Sequence, residues 1–133
     1  MDFTDTGRME RRLWKVNKMA FEKKLKELEQ RKAKALQMGG AAKIKKQHDK
    51  GRLTARERIE RLLDPGSFLE VGMLNHSDVP GMEEKTPADS KVGGYGKIDG
   101  RRVVVVSNDF TVLAATSSRI AGRKEAHGSF RNP

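Results

Sequence analysis

Four cations stand close together in this sequence: Lys46, Lys50, Arg52 and Arg56. Lys and Arg are the natural partners of phosphate, Lys as a point charge and Arg through its fork of donors. The cluster is therefore a candidate for recognising a phosphorylated ligand. It reads equally as a solvated basic face or as a set of ion-pair partners. Gly93-Gly94-Tyr95-Gly96 resembles a phosphate-cradling loop, but that mechanism needs a helix N-terminus behind the loop. Strand-like residues follow instead, so these glycines read as easing a strand. Asp109 has no His or second carboxylate beside it in sequence and reads as a turn or hydrogen-bonding group. His48, His76 and His127 are dispersed, with no metal-ligand spacing. Ser117 and Ser118 read as a helix cap, because no base is placed near them. These residues predict no catalytic group and no metal site.

Composition limits what can position such residues. A chain of 133 residues makes one small domain. Apolar and charged residues each make up 35%, so the core must be modest. The absence of cysteine excludes disulfides and thiolate metal sites. No apolar run is long enough to serve as a signal peptide core or to span a bilayer, which predicts a cytoplasmic protein with no membrane partner. The net charge of +10 is unevenly placed. Residues 1–58 hold 18 Lys/Arg against 8 Asp/Glu, while residues 59–133 hold 10 of each. Such a field attracts polyanions: nucleic acid, acidic membranes or phosphorylated ligands. Nucleic acid is the weaker fit, because the only aromatics in the well-formed basic helix are Trp14 and Phe21, which form no stacking platform.

The elements follow from periodicity. Residues through Gly7 read as frayed. From Arg8 to about Met38 the chain lacks Pro and internal Gly and is rich in helix formers. Leu13, Val16 and Ala20 fall at helical spacing, and Phe21, Leu25, Leu28 and Ala35 continue a narrow, drifting apolar stripe suited to lying along a partner. Gly39-Gly40 ends this helix, and a short basic helix is expected over Ala41 to Asp49. Thr54 and Glu57 have capping-box spacing, and Ile59, Leu62 and Leu63 give the next helix one apolar face. Asp64-Pro65-Gly66-Ser67 stops it, and Phe68, Leu69 and Val71 read as a short strand. Asn75 to Ser90 reads as a surface loop. Val92 to Ile98 and Arg101 to Ser107 flank Asp99-Gly100, a type I′ hairpin signal. Gly93, Gly94 and Gly96 suggest a bulge or a close backbone approach. Val103 to Val106 is continuously apolar and predicts a strand covered on both faces. Asp109 to Ala115 reads as extended, and a helix capped near Thr116 is expected through Lys124, with the residues after it not continuing the helix. A doubly covered strand needs two covering layers, which these elements do not supply. The pattern predicts an N-terminal, incomplete piece of a larger α/β domain.

The segments KGRLTARERIERLLDPGSFLEVG (Lys50 to Gly72) and GYGKIDGRRVVVVSNDFTVLAATSSRI (Gly94 to Ile120) resemble the start of biotin-dependent acyl-CoA carboxylase carboxyltransferase (β) subunits. That family includes propionyl-CoA carboxylase β and methylmalonyl-CoA decarboxylase α-like chains. The resemblance implies the N-terminal part of a crotonase-like (ClpP/crotonase) domain, preceded by a long basic helix. It divides the chain into a helical arm, 1–49, and the start of the carboxyltransferase domain, 50–133. It implies transfer of a carboxyl group between carboxybiotin on a partner protein and an acyl-CoA of the acetyl- or propionyl-CoA class, with no covalent cofactor here. The implied partners are the remaining carboxyltransferase polypeptide and the biotin carboxylase and biotin carrier subunits, in an oligomer. The family's oxyanion-hole donors lie beyond the matched region, so activity of this chain alone is not expected. Lys46, Lys50, Arg52 and Arg56 become candidates to contact the phosphates of coenzyme A. Family members usually carry Gly-Gly-Ser where Ala114-Ala115-Thr116 stands here, and alanine adopts positive φ less easily than glycine. A basic nucleic-acid-binding or assembly module is the alternative reading.

Overall fold

The computed structural model describes residues 3–116 and 118–129. The chain forms two compact units, Met1–Ala33 and Lys34–Pro133. Helix α1, Phe3–Leu36, makes up the described part of the first and enters the second. It begins before Gly7, where fraying was expected. One internal glycine costs a helix only about 1 kcal/mol, which the long run of helix formers after it outweighs. No described helix is long and apolar enough to cross a membrane.

The second unit opens where α1 stops. Met38 turns to φ 50° and Gly40 to φ 92°, and the Gly40 carbonyl accepts from Ile44 N at 3.0 Å to start α2, Ala41–His48. Gly39 donates its N–H to Thr111 Oγ1 at 2.9 Å. A Cβ there would overlap the Thr111 carbonyl, so only glycine allows this approach.

Helix α3, Ala55–Leu62, has the expected capping box. Thr54 N donates to Glu57 Oε2 at 2.7 Å, and Glu57 N donates to Thr54 Oγ1. The Thr54 N–H, helped by His48 at 3.0 Å, holds the Glu57 carboxyl down at about 2. Ala55 and Ile59 of α3, with Leu63 after it and Val92, form the buried core, packed by Phe68, Ile98, Val103 and Val105. The turn after α3 reaches the sheet: both Asp64 carboxylate oxygens accept backbone N–H groups, from Asp99 and Gly100, at 2.9 Å each.

The sheet is antiparallel, in the order β1 (Leu69–Glu70), β2 (Lys91–Ile98), β3 (Arg101–Asn108). Asp99 and Gly100 have φ of 50° and 77°, the signs a type I′ turn requires. Pairing runs unbroken from Lys91 with Asn108 to Ile98 with Arg101, so the expected bulge is absent. The alternative expectation, close approach, is met: a Cβ on Gly94 would overlap the Leu69 carbonyl of β1.

Three expectations are corrected. Val103 to Val106 is not covered on both faces within the described residues: Val103 and Val105 pack toward α3, while Val104 and Val106 are 40% and 41% exposed. Alternation wins because α3 covers one face and the other has only part of a layer. Asp109 to Ala115 is not extended. It folds into a turn and a 3-10 segment, Leu113–Ala115, because the Asp109 carboxylate accepts from Thr111 N at 2.9 Å and from Thr111 Oγ1 at 2.5 Å. Finally, α4 spans Arg119–Ser129 and continues past Lys124; the last residues of the chain, 130–133, lie outside the described residues.

Leu113, Ala114 and Ala115 all have positive φ, from 44° to 59°. Left-handed conformation costs a non-glycine residue about 1–2 kcal/mol. Glycine at Ala114 or Ala115 is therefore expected to raise stability in urea denaturation by about 1 kcal/mol each, after the greater freedom of an unfolded glycine is deducted. Gly94→Ala is expected to lower it by about 2 kcal/mol or more, since the backbone it meets cannot move aside easily.

Candidate functional site

The sheet face opposite α3 carries Lys91, Gly93, Tyr95, Val104 and Val106, following the two-residue period of β2 and β3. With Val71 to His76 on one side and α4 on the other, this face lines an open cavity of about 600 Å³. Ile120, Arg123 and Lys124 project into it from α4. Its floor is apolar, and Lys91, Arg123 and Lys124 give its polar lining a positive charge.

Two lysines stand beside that floor, Lys91 buried and Lys124 half-buried. Lys124 Nζ donates to the carbonyls of Gly72 at 3.1 Å, Ala88 at 2.9 Å and Lys91. An ammonium has three donors, so this carbonyl set uses all of them. Burial pushes Lys124 down to about 8 from its ordinary value of 10.5, against the pull of the Glu70 and Asp89 carboxylates. Lys91 is only 4% exposed. Its Nζ donates to Asn108 Oδ1 at 2.8 Å and pairs with Glu125 Oε1 at 2.5 Å. Ser118 caps α4, accepting from Ala121 N at 3.0 Å while donating to Asp89. These groups hold α4 to the start of β2 and to the loop before it. The ammonium groups are committed to structure, and neither is free as a general base.

The predicted phosphate-binding residues do not enter this cavity. Lys46, Lys50 and Arg52 are exposed. Arg56 is half-buried and forked onto the Glu70 carboxylate at 2.6 and 3.0 Å. His48 pairs with Glu57. His76 lines the cavity, with Nδ1 3.0 Å from the Ser77 carbonyl oxygen. Ser117 and the side chain of His127 lie outside the described residues. Lys91 and Lys124 were not singled out in the sequence. Two spacings place them: Lys91 shares a strand face with Gly93 and Tyr95, and Lys124 follows Ile120 by one helical turn.

An antiparallel hairpin with a helix on each face, the second covering it only in part, defines the class: the opening of a layered α/β domain. The carboxyl transferase domain family matches residues 46–129, and the chain belongs to that family. It is 48% identical over 103 residues to the propionyl-CoA carboxylase beta chain of Cereibacter sphaeroides, covering 75% of this chain and 20% of that one. It is 41% identical over 111 residues to the propionyl-CoA carboxylase carboxyltransferase subunit of Haloferax mediterranei, covering 80% and 21%. Its fold is similar to that of transcarboxylase 12S, a hexamer solved with hydrolysed methylmalonyl-coenzyme A bound. The TM-score is 0.74 at 34% identity, over 81% of this chain and 22% of that one. The fold thus lies with the crotonase-like carboxyltransferase domains. The chain spans about a fifth of the length of the curated relatives it matches. The nucleic-acid and assembly-module readings gain nothing from these matches.

Lys124→Met is expected to lower stability at pH 7 by about 2 kcal/mol, since it removes three hydrogen bonds to carbonyls from one partly buried donor. The pH dependence has a definite sign. Between about pH 8 and 10.5 the unfolded chain holds the Lys124 proton and the folded chain has begun to release it. Stability contributed by this group therefore rises with pH across that window. Chemical denaturation at stepped pH should show the rise in the unmodified chain and lose it in Lys124→Met.

Proposed function

We propose that this chain supplies the front framework of a carboxyltransferase acting on an acyl-CoA of the acetyl- or propionyl-CoA class. The observation that carries the reading is the family match over residues 46–129, together with the fold similarity to a transcarboxylase. In the reaction, the carboxyl group leaves the ureido nitrogen of carboxybiotin and bonds to the α-carbon of the thioester. The α-proton passes to that nitrogen. The enolate formed on the way needs preorganised donors around the thioester oxygen. The described residues contribute framework to that chemistry, because Lys124 and Lys91 already serve carbonyls, an amide oxygen and a carboxylate. The chain then acts with the remaining crotonase-like polypeptide, within an oligomer served by biotin carboxylase and a biotin carrier, in the cytoplasm. Residues 1–49 form its helical arm and 50–133 the start of the domain.

On this reading Lys46, Lys50 and Arg52 meet the phosphates of coenzyme A. Their exposure supports it, as does the concentration of positive charge in residues 1–58. Arg56 joins them only by exchanging Glu70 for phosphate.

Reconstitution tests the proposal. This chain is combined with the Cereibacter sphaeroides beta chain lacking its matched opening segment, and carboxyl transfer from a carboxybiotin carrier to propionyl-CoA is followed with labelled carbon. Transfer is expected from the pair and from neither part alone; turnover by this chain by itself would refute the framework role. In the reconstituted enzyme, K46E/K50E/R52E is expected to raise KM for acyl-CoA about tenfold, equivalent to ~1.4 kcal/mol of binding, with kcat little changed.

A further inference from the structure

The geometry points to a docking surface on α1 for an acidic helix of another protein, independent of the catalytic reading above. Trp14, Phe21 and Leu28 recur at seven-residue intervals, with Leu25 between the last two. With these three at heptad position d, Leu25 is an a residue, and Arg11, Lys18 and Lys32 fill the other a positions. A sustained seven-residue apolar repeat is the seam of a left-handed helix pair. From Trp14 to Lys32 the seam is about 27 Å long, at 1.5 Å per residue. Within the first unit it is uncovered: Trp14 is 66% exposed, Phe21 64% and Leu25 43%.

The charges choose the occupant. Lys18 and Lys32 lie in line with the apolar residues, and Lys18 Nζ is already 5.3 Å from the Trp14 ring centre. A lipid surface is a poor fit, because a membrane-lying helix keeps its lysines on the face opposite its apolar one. A second copy is also a poor fit. Residues 8–36 carry eleven Lys/Arg against four Asp/Glu, and a parallel pair would set Lys18 against Lys18. A facing helix with Leu at d and Glu at the matching a positions fills the apolar seam and neutralises the cations inside it. Polar residues at a positions set register and partner choice in such pairs, so Lys18 and Lys32 are the specificity determinants. Met9, Leu13 and Val16 lie on a different side of α1 and fall outside the seam.

The full chain contains one tryptophan, Trp14, which reports directly on the seam. The probe is a four-heptad synthetic peptide with Leu at d and Glu at a, compared with the same peptide carrying Lys at a. The Glu peptide is expected to shift Trp14 emission to the blue saturably, with Kd on the order of 10 µM at low salt, weakening about tenfold at 0.5 M NaCl. F21A/L25A should weaken binding about tenfold, and so should K18E/K32E, which keeps good helix formers at both positions. L13A/V16A should change it less than about twofold. Far-UV circular dichroism checks that α1 persists in each variant. The proposal is overturned if the Glu peptide gives no saturable shift or the Lys peptide binds as well. It is equally overturned if phosphatidylserine vesicles shift Trp14 while the Glu peptide does not, or if the chain sediments as a dimer that F21A/L25A dissolves.

Discussion

The second unit depends on one half-buried ammonium. Lys124 reaches back from α4 to carbonyls at three separate places: Gly72 just after β1, Ala88 in the loop, and Lys91 at the start of β2. Backbone bonds already join these places in pairs, Lys91 N to the Ala88 carbonyl and Val71 N to the Gly93 carbonyl, and the lysine adds one donor shared by all three. Burying a charge is unfavourable unless it is fully hydrogen-bonded. Here burial is the largest influence, the carboxylates of Glu70 and Asp89 oppose it, and the neighbouring cations Arg56 and Lys91 add to it. The depressed titration point is the balance of these influences. Lys91 repeats the device one step away, with Asn108 and Glu125.

The stretch from Gly51 to Gly72 serves the same end on the other face. The capping box fixes where α3 starts, and Ile59 and Leu63 set its depth against Val103 and Val105. Asp64 then fixes where the hairpin turns, by accepting both N–H groups of Asp99-Gly100. Arg56 and Glu70 tie α3 to β1. The residues that mark the family are thus structural ties. The cavity beside Lys124 is bounded by framework, and its apolar floor at Val104 and Val106 remains partly open to solvent.

Local features of this fold were legible in the sequence. Thr54 with Glu57 and Asp99-Gly100 each satisfy a rule set by neighbouring residues, and each stands where that rule puts it; after α1 the left-handed residue is Met38 instead, and Gly39 answers to distant Thr111. The misread features depend on distant partners. Four successive valines cannot tell which faces are covered, because that depends on α3 and α4. Asp109 to Ala115 reads as extended because its turn is built by two bonds from Thr111 to the Asp109 carboxylate and by left-handed residues, which alanine and leucine do not advertise. Lys91 and Lys124 escape the sequence for a related reason: lysine is read as surface by default, and only the fold supplies three carbonyls to one amine. The exposed cations Lys46, Lys50 and Arg52 were visible at once, because they need no partner within the chain.

The central claim is that Lys124 is a charged strut, saturated by three carbonyls. It is tested most directly by nuclear magnetic resonance titration of the chain uniformly labelled with carbon-13 and nitrogen-15. The account predicts that Lys124 Nζ titrates near 8 and that the carbonyl carbons of Gly72, Ala88 and Lys91 shift along the same curve. A Lys124 that titrates at the ordinary lysine value of 10.5, with those three carbonyls unmoved, would contradict it.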